Sequence, residues 1–270
     1  MTTPAVAAVI VSYNTRALLL ECLDSLRKTA GPLEIVVVDN ASADGSADAV
    51  RERHPGVGVV ANPDNVGFSK ANNLGIRATR APYVLVLNSD AAVRPGAVET
   101  LASILEARAD VGIVGPRTIS PDGTIQVSFG PDLTLFNEWR QRQLVHGVKR
   151  RDAEALRRAE ALAAVEHEPA WVSGSCFLAR RRVLEELGGF DEGFFLYEED
   201  VDLCVRVRRA GHKVLYTPQA EIVHHLGQSM ESASARARLE YRRSHLRFYR
   251  KHNGPLSTAL LRAWMALGRG

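Results

Sequence analysis

The chain has 270 residues, of which 46% are hydrophobic and 24% charged, with a formal net charge of +3. That balance excludes disordered and fibrous classes and leaves room for a sizeable buried core. The mild net charge decides little by itself, and no recognised nucleic-acid-binding module accompanies the basic stretch Arg236–His252, so no nucleic-acid partner is expected.

The first third alternates strands and helices. Val6–Val11 is a continuous apolar run, read as a strand buried on both faces and not as a signal peptide. Thr15–Lys28 has helical spacing, with Leu18, Leu19, Cys22, Leu23 and Leu26 on one stripe. Glu34–Val38, Val57–Ala61, Tyr83–Leu87 and Val111–Val114 read as further strands. Ser42–Arg53, Phe68–Thr79 and Pro95–Ala109 read as helices between them. This spacing predicts a mostly parallel central sheet flanked by helices, an α/β fold of the nucleotide-binding kind.

The pattern then changes. Thr118–Phe129 reads as a hairpin around Pro121-Asp122-Gly123. Pro131–Glu168 is polar, charged and helix-favouring, with no strong strand, and is read as a flexible or acceptor-facing insertion. Ala170–Ala179 is apolar again, and Arg180–Leu187 and Glu199–Ala210 are helices closed by glycines. Lys213–Tyr216 and Ala220–His225 read as two short strands. Glu231–His252 is a basic helix and Leu256–Leu267 an apolar one. The change of pattern gives an expected division into 1–117, 118–230 and, as C-terminal helices, 231–270. Cys22, Cys176 and Cys204 are far apart, with no CxxC, as expected of buried free thiols in a reducing compartment. No run approaches the length of a spanning helix, so the expected location is cytoplasmic, or peripheral on the inner face of the plasma membrane.

In open α/β sheets, ligands sit beyond the carboxyl ends of the strands. Four polar clusters fall there: Ser12-Tyr13-Asn14, Asp39-Asn40-Ala41-Ser42, Asn65-Val66-Gly67-Phe68 and Asn88-Ser89-Asp90. A carboxylate such as Asp39 accepts a hydrogen bond from a pyrimidine imide, Tyr13 suits packing on the base, and Gly67 permits close backbone approach. Asp39 also fits a helix N-cap, and Asn72 a solvated helix face. No GxGxxG follows the first strand and no GxxxxGK[ST] occurs, which argues against dinucleotide and P-loop binding. Asp90 and His224 suit a hard divalent cation, Mg or Mn, holding a diphosphate.

The densest signal is FDEGFFLYEEDVDLCVR, residues 190–206. Glu198, Glu199, Asp200 and Asp202 lie among Phe194, Phe195, Leu196, Tyr197, Val201 and Leu203. Acidic residues at a helix start account for part of the cluster. The apolar surroundings add partial desolvation, hence a carboxylate basic enough to act as a general base. Trp171 is read equally as core and as a platform for a sugar ring.

Taken in order, VIVSYN, VVVDNASADGS, NVGFSKANNLGI, YVLVLNSD, WVSGSCFLARR, FDEGFFLYEEDVDLCVRVRRAGHKVLYTP and AEIVHHLGQS resemble family-2 glycosyltransferases of the GT-A fold, particularly a rhamnosyltransferase-like branch. The resemblance covers about Val6 to Asn253. It implies inverting transfer from a dTDP- or UDP-sugar, with rhamnose as the branch's sugar, to a glycan or lipid-linked acceptor of the cell envelope. It implies Asp39 on the base, Ser12, Tyr13 and Asn14 lining its pocket, and Asn65, Gly67, Phe68 and Asn72 flanking the nucleotide. Asp90 would bind the metal with His224 nearby, and Asn88, standing where the family's DxD has its first Asp, would bond a ribose hydroxyl. Asp200, paired with Glu199, would be the base. Trp171, Gly174, Glu198 and Asp202 would shape the sugar and acceptor subsite. Arg236–His252, with seven Arg or Lys against one Glu, is read as a solvated face or as a contact with anionic lipid. A sugar nucleotidyltransferase and an inactive carbohydrate-binding module are the rival readings.

Overall fold

The computed structural model describes residues 5–28, 31–225 and 234–266. The last residues of the AEIVHHLGQS motif, the first residues of the expected basic helix, the side chain of Arg236 and Leu267 lie outside them.

Strand–helix alternation holds through the first half: β1 (Val6–Ser12), α1 (Arg16–Leu26), β2 (Leu33–Asp39), α2 (Ser46–Arg53), β3 (Gly58–Ala61), α3 (Phe68–Ala78) and β4 (Tyr83–Asn88). β3, β2, β1 and β4 lie side by side, all parallel. On β4, Leu85 and Leu87 join the cluster under α1, while Val84 and Val86 join the opposite one. Burial on both faces is why these strands read as unbroken apolar runs. On α1, Leu20 takes the core place expected of Leu18.

The second half is less regular. It holds β5 (Ala91–Val93), α4 (Ala97–Ala107), β6 (Val111–Ile119), β7 (Ile125–Gln126), β8 (Phe129–Gly130), α5 (Leu135–Lys149) and α6 (Ala153–Ala163). Then come β9 (Trp171–Val172), β10 (Cys176–Arg180), α7 (Arg181–Glu186), α8 (Glu199–Arg209), β11 (Lys213–His224), a basic helix (Ser234–His252) and a terminal helix (Gly254–Ala266). β10 inserts antiparallel between β4 and β6, β11 runs parallel to β6, and β5 closes the edge antiparallel to β11. One nine-stranded sheet therefore carries strands from both sides of position 117. β6 and β7 form the expected hairpin, with Thr118 opposite Gln126.

Three expectations change. The two short strands at the end are one strand, β11, whose register shifts between Thr217 and Glu221. Pro218 has no N–H to donate, which fits an irregularity at that point. The polar, helix-favouring segment 131–168 forms α5 and α6, and Leu144, Val148, Ala159 and Ala163 join the core, so of its two readings the flexible one falls. β5 gave no signal, because three residues are too few to show a period. All three cysteines are free and buried.

Candidate active site

Strand register sets the site. Ser12 pairs with Asp39 and Val11 with Asn88, so the polar clusters after β1, β2 and β4 lie side by side at one end of the sheet. Asp39 is buried. Its Oδ2 accepts from the Ser42 N–H at 3.1 Å, while Oδ1 has no partner among the described residues. A buried carboxylate oxygen without a donor is costly, and a ligand N–H would satisfy it. Asn72 likewise donates to the Phe68 carbonyl at 3.0 Å and leaves a buried Oδ1 unmatched.

Other predicted residues build walls instead of facing a ligand. Ser12 is fully buried, its hydroxyl 3.0 Å from Thr15 Oγ1, which in turn lies 2.8 Å from Ser89 Oγ. Its side chain thus ties β1 to the loop after β4. Asn14 adopts φ 54° and its side chain accepts from the Ala43 N–H at 2.7 Å, tying the β1 and β2 loops together. Asn65 accepts from its own loop, from the Gly67 N–H at 3.0 Å and from Asn40 Nδ2 at 2.9 Å. Asn40 also accepts from Asn62 and from the Val66 N–H, so it organises this loop. Tyr13 remains exposed beside these loops, free to pack on a ligand.

Gly67 is where donor loop and acidic segment meet. It has φ 86°, and a Cβ there would lie 2.6 Å from the Phe195 carbonyl oxygen. The Phe68 N–H donates to that carbonyl at 2.7 Å. Only glycine suits both the dihedral and the space.

Asp200 sits on the first turn of α8. Its Oδ2 accepts from the Gly174 N–H at 2.7 Å and its Oδ1 from the Val201 N–H at 2.8 Å. The next residue, Ser175, accepts from the Asn88 N–H at 2.9 Å, so Asp200 stands at the same sheet end as Asn88 and Asp90. Burial raises its pKa to about 6; the Gly174 N–H opposes this, and the charge of Glu198 adds to it. Glu199, the next residue back along the chain, is buried and its pKa is raised well above the usual carboxylate range, by burial first and then by the charge of Asp200.

Asp200 opens onto a cleft of about 230 Å³ whose lining includes Trp171, Tyr197, Glu198 and Tyr241. Trp171 donates its indole N–H to the Pro131 carbonyl at 3.0 Å, which fixes the ring at the wall. Tyr197 and Glu198 both adopt positive φ, 71° and 64°. Glu198 is held there by His245 Nδ1 at 2.8 Å, and His245 Nε2 lies 3.0 Å from Glu138. Burial lowers the His245 pKa, but the two carboxylates outweigh it and raise it to about 9. Glu138 and His245 line the cleft and were missed in the sequence. Nothing local marks them, since Glu138 sits in a polar helix and His245 in a basic one.

Asp202 does not belong to the cleft, and its place in the acceptor subsite is corrected. Side chains two apart on a helix point to opposite sides. Asp202 is fully buried against the basic helix, with His252 Nε2 at 2.7 Å, Lys251 Nζ at 2.6 Å and Arg206 Nε at 2.7 Å. Asp191 takes Arg247 and Lys251 of the same helix. Arg247 and Lys251 are thus paired, while Arg238, Arg242, Arg243 and Arg250 of the same helix stay exposed.

Asp90 and His224 fit a divalent cation. Gln126 Nε2 donates to the His224 carbonyl and to Ser120, leaving Oε1 to accept from His224 Nδ1 at 3.0 Å. That places an N–H on Nδ1 and leaves Nε2 facing Asp90 Oδ1, 3.1 Å away. A carboxylate oxygen and an imidazole nitrogen at this spacing can share one cation. Asn88 Nδ2 lies 3.3 Å from the same nitrogen. Among the described residues no third His, Cys, Asp or Glu joins the pair. Diphosphate oxygens and water would complete the shell.

Asp39, the Asp90–His224 pair and Asp200 thus stand at one end of a mixed α/β sheet of the GT-A glycosyltransferase type. The profile described as "Glycosyltransferase like family 2" matches residues 4–250. The chain belongs to that family. It is 33% identical over 239 residues to the N-acetylglucosaminyl-diphospho-decaprenol L-rhamnosyltransferase of Mycobacterium tuberculosis, covering 84% of this chain and 78% of that one. The low-salt glycan biosynthesis hexosyltransferase Agl10 of Haloferax volcanii is 26% identical, over 87% and 72% of the two chains. Among solved structures, the mannosyltransferase PcManGT of Pyrobaculum calidifontis, with GDP-Man and Mn2+, superposes at TM-score 0.57 and 23% identity, over 98% and 81%. S. aureus TarS with UDP-GlcNAc gives 0.57 at 18%, over 84% and 61%. These structures share the fold.

Proposed function

We propose that this glycosyltransferase works by inversion, moving a sugar, rhamnose by preference, from a dTDP- or UDP-sugar to a lipid-linked glycan acceptor. The observation that carries the reading is Asp200: a half-buried carboxylate of raised basicity, fixed by the Gly174 N–H, facing a cleft at the sheet end that also holds Asp39 and Asp90. Asp39 Oδ1 receives the base N–H, and Tyr13 covers the base.

In the reaction the acceptor hydroxyl enters the cleft beside Trp171. Asp200 takes its proton as the oxygen bonds to the anomeric carbon, while the bond from that carbon to the diphosphate breaks. One displacement on the face opposite the leaving group inverts the centre. A divalent ion on Asp90 and His224 would neutralise charge on the departing nucleoside diphosphate. The likeness to the decaprenol-dependent rhamnosyltransferase supports the lipid-linked acceptor.

A panel of nucleotide sugars, scored for nucleoside diphosphate release, tests this. Acceptor-dependent release from a dTDP- or UDP-sugar is expected, lost in EDTA and restored by Mg2+ or Mn2+. No release from any donor, with or without metal, would refute it.

A further inference from the structure

The two faces of α5 do different things. Asn137, Glu138, Gln141 and Arg142 line the Asp200 cleft. Phe136, Trp139, Arg140 and Gln143 lie on the other side and are exposed, Phe136 at 64% and Trp139 at 53%. Helical spacing puts these two sets about half a turn apart. The exposed rings stack on each other at 6.4 Å, and the Arg140 guanidinium lies 5.7 Å from the Phe136 ring centre.

The terminal helix repeats this arrangement. Thr258, Leu261 and Met265 face the core. Leu256, Ala259, Leu260 and Ala263 face outward, Leu256 at 74% and Leu260 at 53% exposure. The two helices are neighbours: Arg142 of α5 stacks over Trp264 at 4.6 Å, and Leu135 packs into the cluster of Leu261 and Met265.

Neither outer face carries a carboxylate. The acid of α5, Glu138, is buried, and Gly254–Ala266 contains none. The exposed charges are Arg140, Lys149 and Arg262, all cationic. Aromatic and leucine side chains edged by arginine and lysine match the boundary between anionic headgroups and acyl chains. No helix among the described residues is long and apolar enough to cross a membrane. The basic helix, read from the sequence as a solvated face or a lipid contact, turns His245, Arg247, Lys251 and His252 to Glu198, Asp191 and Asp202 and leaves Arg238, Arg242, Arg243 and Arg250 exposed.

We propose that the outer faces of α5 and the terminal helix form a docking surface for an anionic lipid bilayer. This deepens the reading of a lipid-linked acceptor and rests on it. α5 is about 10 Å across with its side chains, so docking there brings the cleft wall to the bilayer surface, where the acceptor's sugar end emerges.

Flotation with phosphatidylcholine vesicles, with and without phosphatidylglycerol, tests the surface. Wild type is expected to float with the anionic vesicles only. Phe136→Ser with Trp139→Ser, and separately Leu256→Ser with Leu260→Ser, should each weaken binding about tenfold or more. These side chains are exposed, so folding is spared. Nucleoside diphosphate release with a short soluble acceptor should stay at the wild-type rate, which separates failure of docking from failure of the transfer reading. The proposal is overturned if wild type does not float or if both double variants float like wild type. It is equally overturned if only Arg238→Gln with Arg250→Gln abolishes binding, or if wild type forms dimers that the serine variants break while vesicles remain unbound.

Discussion

Asp200→Asn is expected to lower turnover by at least ~1000-fold while leaving donor affinity within about twofold, as measured by steady-state kinetics and by nucleoside diphosphate titration. The amide keeps the volume, and its oxygen can still accept one of the two backbone N–H groups now on the carboxylate. It cannot accept a proton from a hydroxyl. Asp39 and Asp90, the proposed donor and metal contacts, lie on β2 and the loop after β4 and are untouched. Near-normal turnover would remove Asp200 from the mechanism.

The pH profile of the wild-type enzyme belongs to the same argument. Because burial raises Asp200 to about 6, the rate should fall about tenfold per unit below pH 6 and level off above it. An acid limb with its midpoint near pH 4, where an unperturbed Asp titrates, would contradict the desolvated base. The stability sign runs the other way. The folded chain keeps a proton that the unfolded chain releases, so this group's contribution to stability is present below about pH 4 and lost as pH rises through 6. The site gives up stability at neutral pH to gain a stronger base.

Asp202→Ala should do the opposite, costing folding stability at neutral pH by about 3–5 kcal/mol in urea denaturation. It would leave Arg206, Lys251 and His252 facing an empty, fully buried position. Lys251 keeps Asp191 at 2.7 Å, which holds the loss toward the lower figure. The native carboxylate is depressed. Its burial opposes this, but the bonds from His252, Lys251 and Arg206 dominate. Its stabilisation is therefore present above about pH 4 and lost as pH falls through the folded value. The variant should lack that acid transition. A variant within about 1 kcal/mol of wild type would show that the cluster adds little net energy, as some buried ion pairs do.

These two aspartates show how far the sequence reading reached. Both fall in one acidic cluster and both were placed in the site. Helical phase separates them, but phase alone does not say which side is the cleft. The contacts decide: Gly174 on one side, the basic helix on the other.

The sequence by itself determined the parallel half of the sheet and the polar clusters at its carboxyl end. Strands buried on both faces leave unbroken apolar runs, and a residue's distance from the end of such a run is local information. It also carried the family, through the order of its motifs. Tertiary structure alone decided the rest. Glu198 meets His245 across 47 residues, and Tyr249 meets Glu138 across 111. The insertion of β10 between β4 and β6 and the outward aromatics of α5 are equally invisible along the chain. Contacts at such separations leave no period to read, because each partner answers to a neighbour that folding brings to it.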